Sequence, residues 1–150
     1  MEEIEEVFAK IITPEKKSNN RPSILIVEDD KDTQSRMKIF LEKQGYEITL
    51  AEDGIDAFLN LGGKSFDLIL TDINMPHLDG LKLLEMKKQK GIEIPVIFLT
   101  ARTDLEAEKR GLDLGAADYI KKPIKEDLLL NRVKKVLENA RGNPASFGVN

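Results

Sequence analysis

At 150 residues, with 41% hydrophobic and 33% charged side chains, the chain has the make-up of about one soluble globular unit with one core. The absence of cysteine excludes a disulfide framework, a thiol nucleophile and a thiolate metal site, and it leads us to expect a cytoplasmic protein. A net charge of −4 and a pI near 5.2 argue against a nucleic-acid surface, and no apolar run approaches the roughly 20 residues of a membrane span.

Residues 1–20 stand apart. Ile4, Val7, Phe8 and Ile11 fall at helical spacing, and Glu2, Glu3, Glu5 and Glu6 suit the positive end of a helix dipole. This pattern predicts a short amphipathic helix ended by Pro14, with a polar linker to Asn20. A helix of this length is marginal alone in water, so it either docks through its stripe or stays unfolded. Its acidic polar face argues against a membrane surface.

The first strand is predicted at Ile24-Leu25-Ile26-Val27, followed at once by Glu28-Asp29-Asp30. Asp30 reads as the cap of a helix with Met37, Phe40 and Leu41 on its inner face and Gly45 as a C′ residue; a cap accounts for one acid better than for three. Glu47 to Ala51 alternates as a second strand. Asp53 then caps a helix carrying Ala57, Phe58 and Leu61 that Gly62-Gly63 is expected to stop. The third strand, through Leu68-Ile69-Leu70, delivers Asp72 to its end. Alone, Asp72 would read as a turn former or cap, but the ligand crevice of an open α/β sheet lies outside the carboxyl ends of its strands.

The Met-Pro-His-Leu-Asp-Gly loop leads into a helix capped by Asp79, with Leu81 and Leu84 facing inward and His77 a surface loop residue. Ile94 to Leu99 is the fourth strand, with Pro95 tolerable only near its start, and it ends in Thr100-Ala101. Thr103 and Glu106 form a capping box for a helix to Leu114 that Gly115 stops. A fifth strand, Ala117 to Lys121, ends in Lys122-Pro123. The last helix, about Lys125 to Ala140, places Leu129, Val133, Val136 and Ala140 on one face, and the residues beyond it read as a flexible tail.

Strands alternating with helices imply a doubly wound α/β fold, a five-stranded parallel sheet with helices on both faces. Four strand ends carry polar groups: acids on the first, Asp72 on the third, Thr100 on the fourth and Lys122 on the fifth. Only the second contributes none. Clustered carboxylates raise one another's pKa, and a divalent cation is the usual remedy. With few, hard oxygen ligands, Mg²⁺ is favoured. Lys122 is placed to neutralise phosphoryl oxygens approaching the carboxylate, and Thr100 with an adjacent N–H to donate to another; Ala101 leaves the approach open.

These residues, in the runs Ile24-Leu25-Ile26-Val27-Glu28-Asp29-Asp30, Leu70-Thr71-Asp72-Ile73-Asn74-Met75-Pro76, Leu99-Thr100-Ala101 and Tyr119-Ile120-Lys121-Lys122-Pro123, resemble the receiver domain of two-component response regulators (CheY-like) over residues 22–141. The resemblance implies strand order 2-1-3-4-5, Asp72 as phosphoacceptor, and Mg²⁺ held by Asp29, Asp72 and the Asn74 main-chain carbonyl, with Glu28 acting through a water. It further implies Thr100 and Tyr119 as a switch pair, Lys122 as the essential lysine, a cis Lys122–Pro123 peptide, and a sensor histidine kinase or histidine phosphotransfer protein as partner. Residues 1–20 would then be an extension and 142–150 a tail, with no output domain recognisable after residue 141.

Two other readings compete. A Mg²⁺-dependent phosphatase of the haloacid dehalogenase type also uses a strand-end Asp, but it needs a second Asp two positions later, where this chain has Asn74. A receiver-like scaffold without phosphorylation has no need of Asp72, Thr100 and Lys122 together. The expectation is therefore a phosphoacceptor signalling domain rather than a turnover enzyme. Dimerisation is expected through the face of residues 104–140, where Arg102, Asp104, Glu106, Glu108, Lys109, Arg110, Asp118, Lys121 and Arg132 mix charges, or through the N-terminal helix.

Overall fold

The computed structural model describes residues 21–73, 80–100 and 105–142. The N-terminal helix and most of the tail expected from sequence, together with Asn74, His77, Asp79, Ala101 and Thr103, lie outside them.

Among the described residues, five strands and five helices alternate: β1 (Ser23–Val27), α1 (Lys31–Glu42), β2 (Glu47–Ala51), α2 (Gly54–Gly63), β3 (Leu68–Asp72), α3 (Gly80–Gln89), β4 (Val96–Thr100), α4 (Leu105–Asp113), β5 (Asp118–Lys121) and α5 (Glu126–Gly142). The strands pair in the order β2-β1-β3-β4-β5, all in parallel, as the resemblance implied. Central strands covered on both faces read as near-continuous apolar runs, and β1, β3 and β4 are buried at every position.

The expected single core is two layers, because the sheet divides it. Ile24, Ile26, Leu68 and Leu70 face α1 and α5, meeting Met37, Leu41, Leu129 and Val133. Leu25, Val27 and Ile69 face the opposite way, toward Ala57, Leu83 and Leu84. Alternation along each strand assigns successive residues to opposite layers.

Local chemistry sets the helix ends. The Asp30 side chain accepts from the Thr33 N–H at 3.0 Å, and Asp53 accepts from the Asp56 N–H at 2.8 Å, so both expected caps are present. Gly45 and Gly115 have φ of +93° and +98°, a left-handed geometry that ends helices and that other residues resist. Three expectations shift. α2 runs through Gly62 and Gly63 to a cap at Lys64, and β4 starts only at Val96, after the proline that lacks an N–H. On α5 the residue that joins Leu129, Val133 and Val136 is Leu137, 4% exposed, while Ala140 is exposed. Leu137 lies one turn beyond Val133 and extends the same stripe, whereas Ala140 has only a methyl to bury.

Candidate functional site

β1 runs buried into Glu28, which is 0% exposed, and β3 ends in Asp72, 8% exposed. The chain turns outward at exposed Asp29. Carboxylate oxygens of Glu28, Asp29 and Asp72 all lie within 4.8 Å of one another, a group able to hold a metal ion. The Glu28 N–H donates to the Ala51 carbonyl at 3.1 Å, so the end of β2, whose own Glu52 pairs with Lys31 instead, still anchors the acids of β1.

Lys122 follows β5 and is held beside β4 by its N–H, which donates to the Thr100 carbonyl at 2.7 Å. From there its ammonium reaches across the sheet edge. Nζ donates to Asp72 Oδ2 at 2.9 Å and lies 2.8 Å from Glu28 Oε1. The Glu28 contact is an ion pair rather than a directed hydrogen bond, so Oε1 is buried without a hydrogen-bond partner, while Oε2 accepts from the Asp30 N–H at 3.0 Å. The Lys122–Pro123 peptide is cis, as expected.

The charges answer to this geometry. Burial pushes the Glu28 carboxyl above its usual range, against the lowering effects of Lys122 and the Asp30 N–H. Burial also works to lower the Lys122 ammonium, but its contacts with Glu28 and Asp72 outweigh it and hold the group above its usual value. Three carboxylates facing one ammonium leave two excess negative charges when all are ionised. That deficit, with a buried Glu28 Oε1 that meets only the Lys122 ammonium, fits a hard divalent cation, whose ligands are carboxylate, carbonyl and water oxygens.

Thr100 closes β4, 3% exposed, in register with Lys121. Tyr119 pairs with Phe98 across the β4–β5 ladder and packs, half-buried, against the layer containing Phe98. The structure therefore brings Glu28, Asp29, Asp72, Thr100 and Lys122 to one edge and sets Tyr119 three residues back along β5. Asn74 and Ala101, which follow Asp72 and Thr100 in the sequence, lie outside the described residues.

Sequence reasoning passed over two polar side chains of α1. Gln34, 5% exposed, donates to the Glu28 carbonyl at 3.0 Å. Arg36 donates to the Ile124 carbonyl at 3.3 Å. Gln34 had a legible signal, since it stands on the same stripe as Met37 and Leu41 and a polar residue on a buried stripe needs a partner there.

A family model described as the response regulator receiver domain matches residues 24–134. The chain belongs to the response regulator receiver family. This receiver domain is 40% identical over 111 residues to the transcriptional regulatory protein DltR of Streptococcus agalactiae, covering 74% of this chain and 50% of that protein. It is 37% identical to the transcriptional regulatory protein PcoR of Escherichia coli, covering 82% and 54% respectively. It thus spans about half the length of these relatives. Among solved structures, the receiver domain of Francisella response regulator 1452 superposes with a TM-score of 0.76 at 34% identity, over 81% of this chain and all of that one. A CheY-like receiver protein from Methanospirillum hungatei gives 0.74 at 32% identity, over 78% and 94%. The receiver domain is a signalling module of two-component systems, and among its described residues no helix is long and apolar enough to cross a membrane.

Proposed function

We propose that this receiver domain accepts a phosphoryl group on Asp72 from a sensor histidine kinase or histidine phosphotransfer protein, in the cytoplasm, and signals through a change of conformation. The observation that carries the reading is the convergence of Glu28, Asp29 and Asp72 within 4.8 Å with the Lys122 ammonium 2.9 Å from Asp72. Asp29, Asp72 and the Asn74 carbonyl would hold Mg²⁺, with Glu28 acting through a water, and the ion would offset phosphoryl charge.

This chain's own groups do the rest. An Asp72 carboxylate oxygen attacks phosphorus while the donor histidine nitrogen leaves with the electrons of the broken N–P bond. Lys122, already on Asp72, neutralises a phosphoryl oxygen, and the Thr100 hydroxyl and the Ala101 N–H donate to others. Thr100 and Tyr119 act as the switch pair, turning the dianion on Asp72 into movement of β4 and β5. Because Asn74 stands where a hydrolase would place a second acid, the phosphorylated state persists, and any transfer or hydrolysis is self-catalysed.

The phosphorylating unit is residues 22–141, with 1–20 an extension and 142–150 a tail. The response is dimerisation through the face of residues 104–140. Leu105 and Leu112, one above the other on α4, are 72% and 51% exposed and supply an apolar part to that face. Arg132 and Asp118 pair with each other at 3.1 Å, which leaves exposed Glu106, Lys109, Arg110 and Lys121 to meet a second copy. The N-terminal helix is the competing dimer element.

Incubation with Mg²⁺ and a small phosphodonor tests the reading. One acid-stable, base-labile phosphate per chain supports it, multiple turnovers point to a phosphatase, and no uptake points to a scaffold. Sedimentation with and without beryllofluoride, on the full chain and without residues 1–20, separates the two dimers.

A further inference from the structure

α1 carries a glutamine where its buried stripe calls for an apolar residue. Gln34 is 5% exposed, and Met37 and Leu41 on the same face are 0% exposed. Its amide nitrogen donates to the Glu28 carbonyl at 3.0 Å and to the Ala51 carbonyl at 3.4 Å. The Ala51 carbonyl closes β2, where it also accepts the Glu28 N–H at 3.1 Å, and the Glu28 carbonyl follows directly on β1. One side chain thus ties together the ends of β1 and β2 just where β1 passes into the acids.

We infer that Gln34 is a positioning residue for the acidic cluster. The carboxylates of Glu28, Asp29 and Asp72 repel one another, so the backbone that carries two of them tends to splay unless something holds it. The Gln34 amide holds the Glu28 carbonyl and so sets the direction in which Glu28-Asp29 leaves β1. Outer groups of this kind orient first ligands and strengthen a metal site without touching the ion. Arg36, two residues along α1, holds the Ile124 carbonyl at 3.3 Å, on the loop of Lys122. It therefore serves as a control from the same helix that does not touch the acid-bearing loop. The inference rests on the reading of the cluster as a Mg²⁺ site.

Gln34→Leu keeps the volume and removes the donor. In the full chain, calorimetric Mg²⁺ titration is expected to show affinity weakened about 10-fold. In the metal-free protein the Asp30 amide, whose N–H is held by Glu28 Oε2 at 3.0 Å, should exchange with solvent faster by a similar factor. Arg36→Met and Val133→Ala are expected to leave both readouts unchanged, although Val133→Ala lowers global stability. If Gln34→Leu is too unstable to titrate, Gln34→Asn, which withdraws the amide by one methylene, gives the same comparison. Equal Mg²⁺ affinity in wild type and the Gln34 variant, or an equal loss in Val133→Ala, overturns the inference and leaves the Mg²⁺ reading standing. A wild-type chain that binds no Mg²⁺ overturns both.

Discussion

The bodies of β1 and β3 and their carboxyl ends are buried alike and chemically opposite. Ile24 to Val27 and Leu68 to Leu70 are apolar and 0% exposed, whereas the residues closing the same runs, Glu28 at 0% and Asp72 at 8%, are ionisable. Each buried Ile, Leu or Val contributes about 1.5–3 kcal/mol relative to exposure. A buried carboxylate costs solvation that its ion pair recovers only in part. The strand bodies therefore hold the fold together, while the edge is kept at a cost for what it can bind. Lys122 limits that cost by pairing with both Glu28 and Asp72, and under the proposed function its ammonium would meet the incoming phosphoryl oxygens there.

Substitutions at the two regions should accordingly separate function from stability. The largest effect is expected from Asp72→Asn, which takes phosphate uptake from one per chain to none while raising the denaturation midpoint in metal-free buffer, because Lys122 then balances one fewer carboxylate. Uptake at the wild-type rate would remove Asp72 as acceptor. Next, Lys122→Ala is expected to retain Mg²⁺ binding and lose the beryllofluoride-induced amide shifts at Thr100 and Tyr119; wild-type shifts in that variant would count against the switch role of the lysine. In the strand body, Leu70→Ala should lower unfolding stability by about 2–5 kcal/mol yet leave the Mg²⁺ affinity of the folded chain unchanged. A change in affinity there would mean that body and edge are not separable.

The smallest effect concerns Tyr46, at the margin of the layer beneath α1 and α5. Burial, helped by the charge of Glu138, holds its phenol above the usual value. A folded pKa above the unfolded one gives stability that is present below about pH 10 and lost as pH rises through the folded pKa. Wild type should therefore lose more stability than Tyr46→Phe between pH 8 and pH 11 in urea unfolding; parallel losses would place the phenol in water.

Much of the site was legible because its signals are local. Glu28-Asp29, Asp72, Thr100 and Lys122 each end an apolar run of strand length, and the end of a strand in an open parallel sheet is where polar groups gather. The caps Asp30 and Asp53 were equally readable, since a cap bonds the backbone two or three residues on. Gln34 was legible only as a polar residue on a buried stripe; its partners were not, because the Glu28 and Ala51 carbonyls lie at the ends of two different strands. The burial of Glu28 was missed for a related reason: next to Asp29 and Asp30 it reads as one of three loop acids, and two of the groups that meet it, Ala51 and Lys122, come from far along the chain.

The sequence alone thus determined which segments become strands and helices, where most of them stop, and which residues arrive at the functional edge, since these depend on periodicity and on contacts a few residues long. Tertiary structure alone decided the division of the interior into two layers, the reach of Lys122 to both Glu28 and Asp72, and the hold of Gln34 on the ends of β1 and β2. Each of these joins residues far apart in the chain, and the distances between such groups are set by the packing of whole elements against one another.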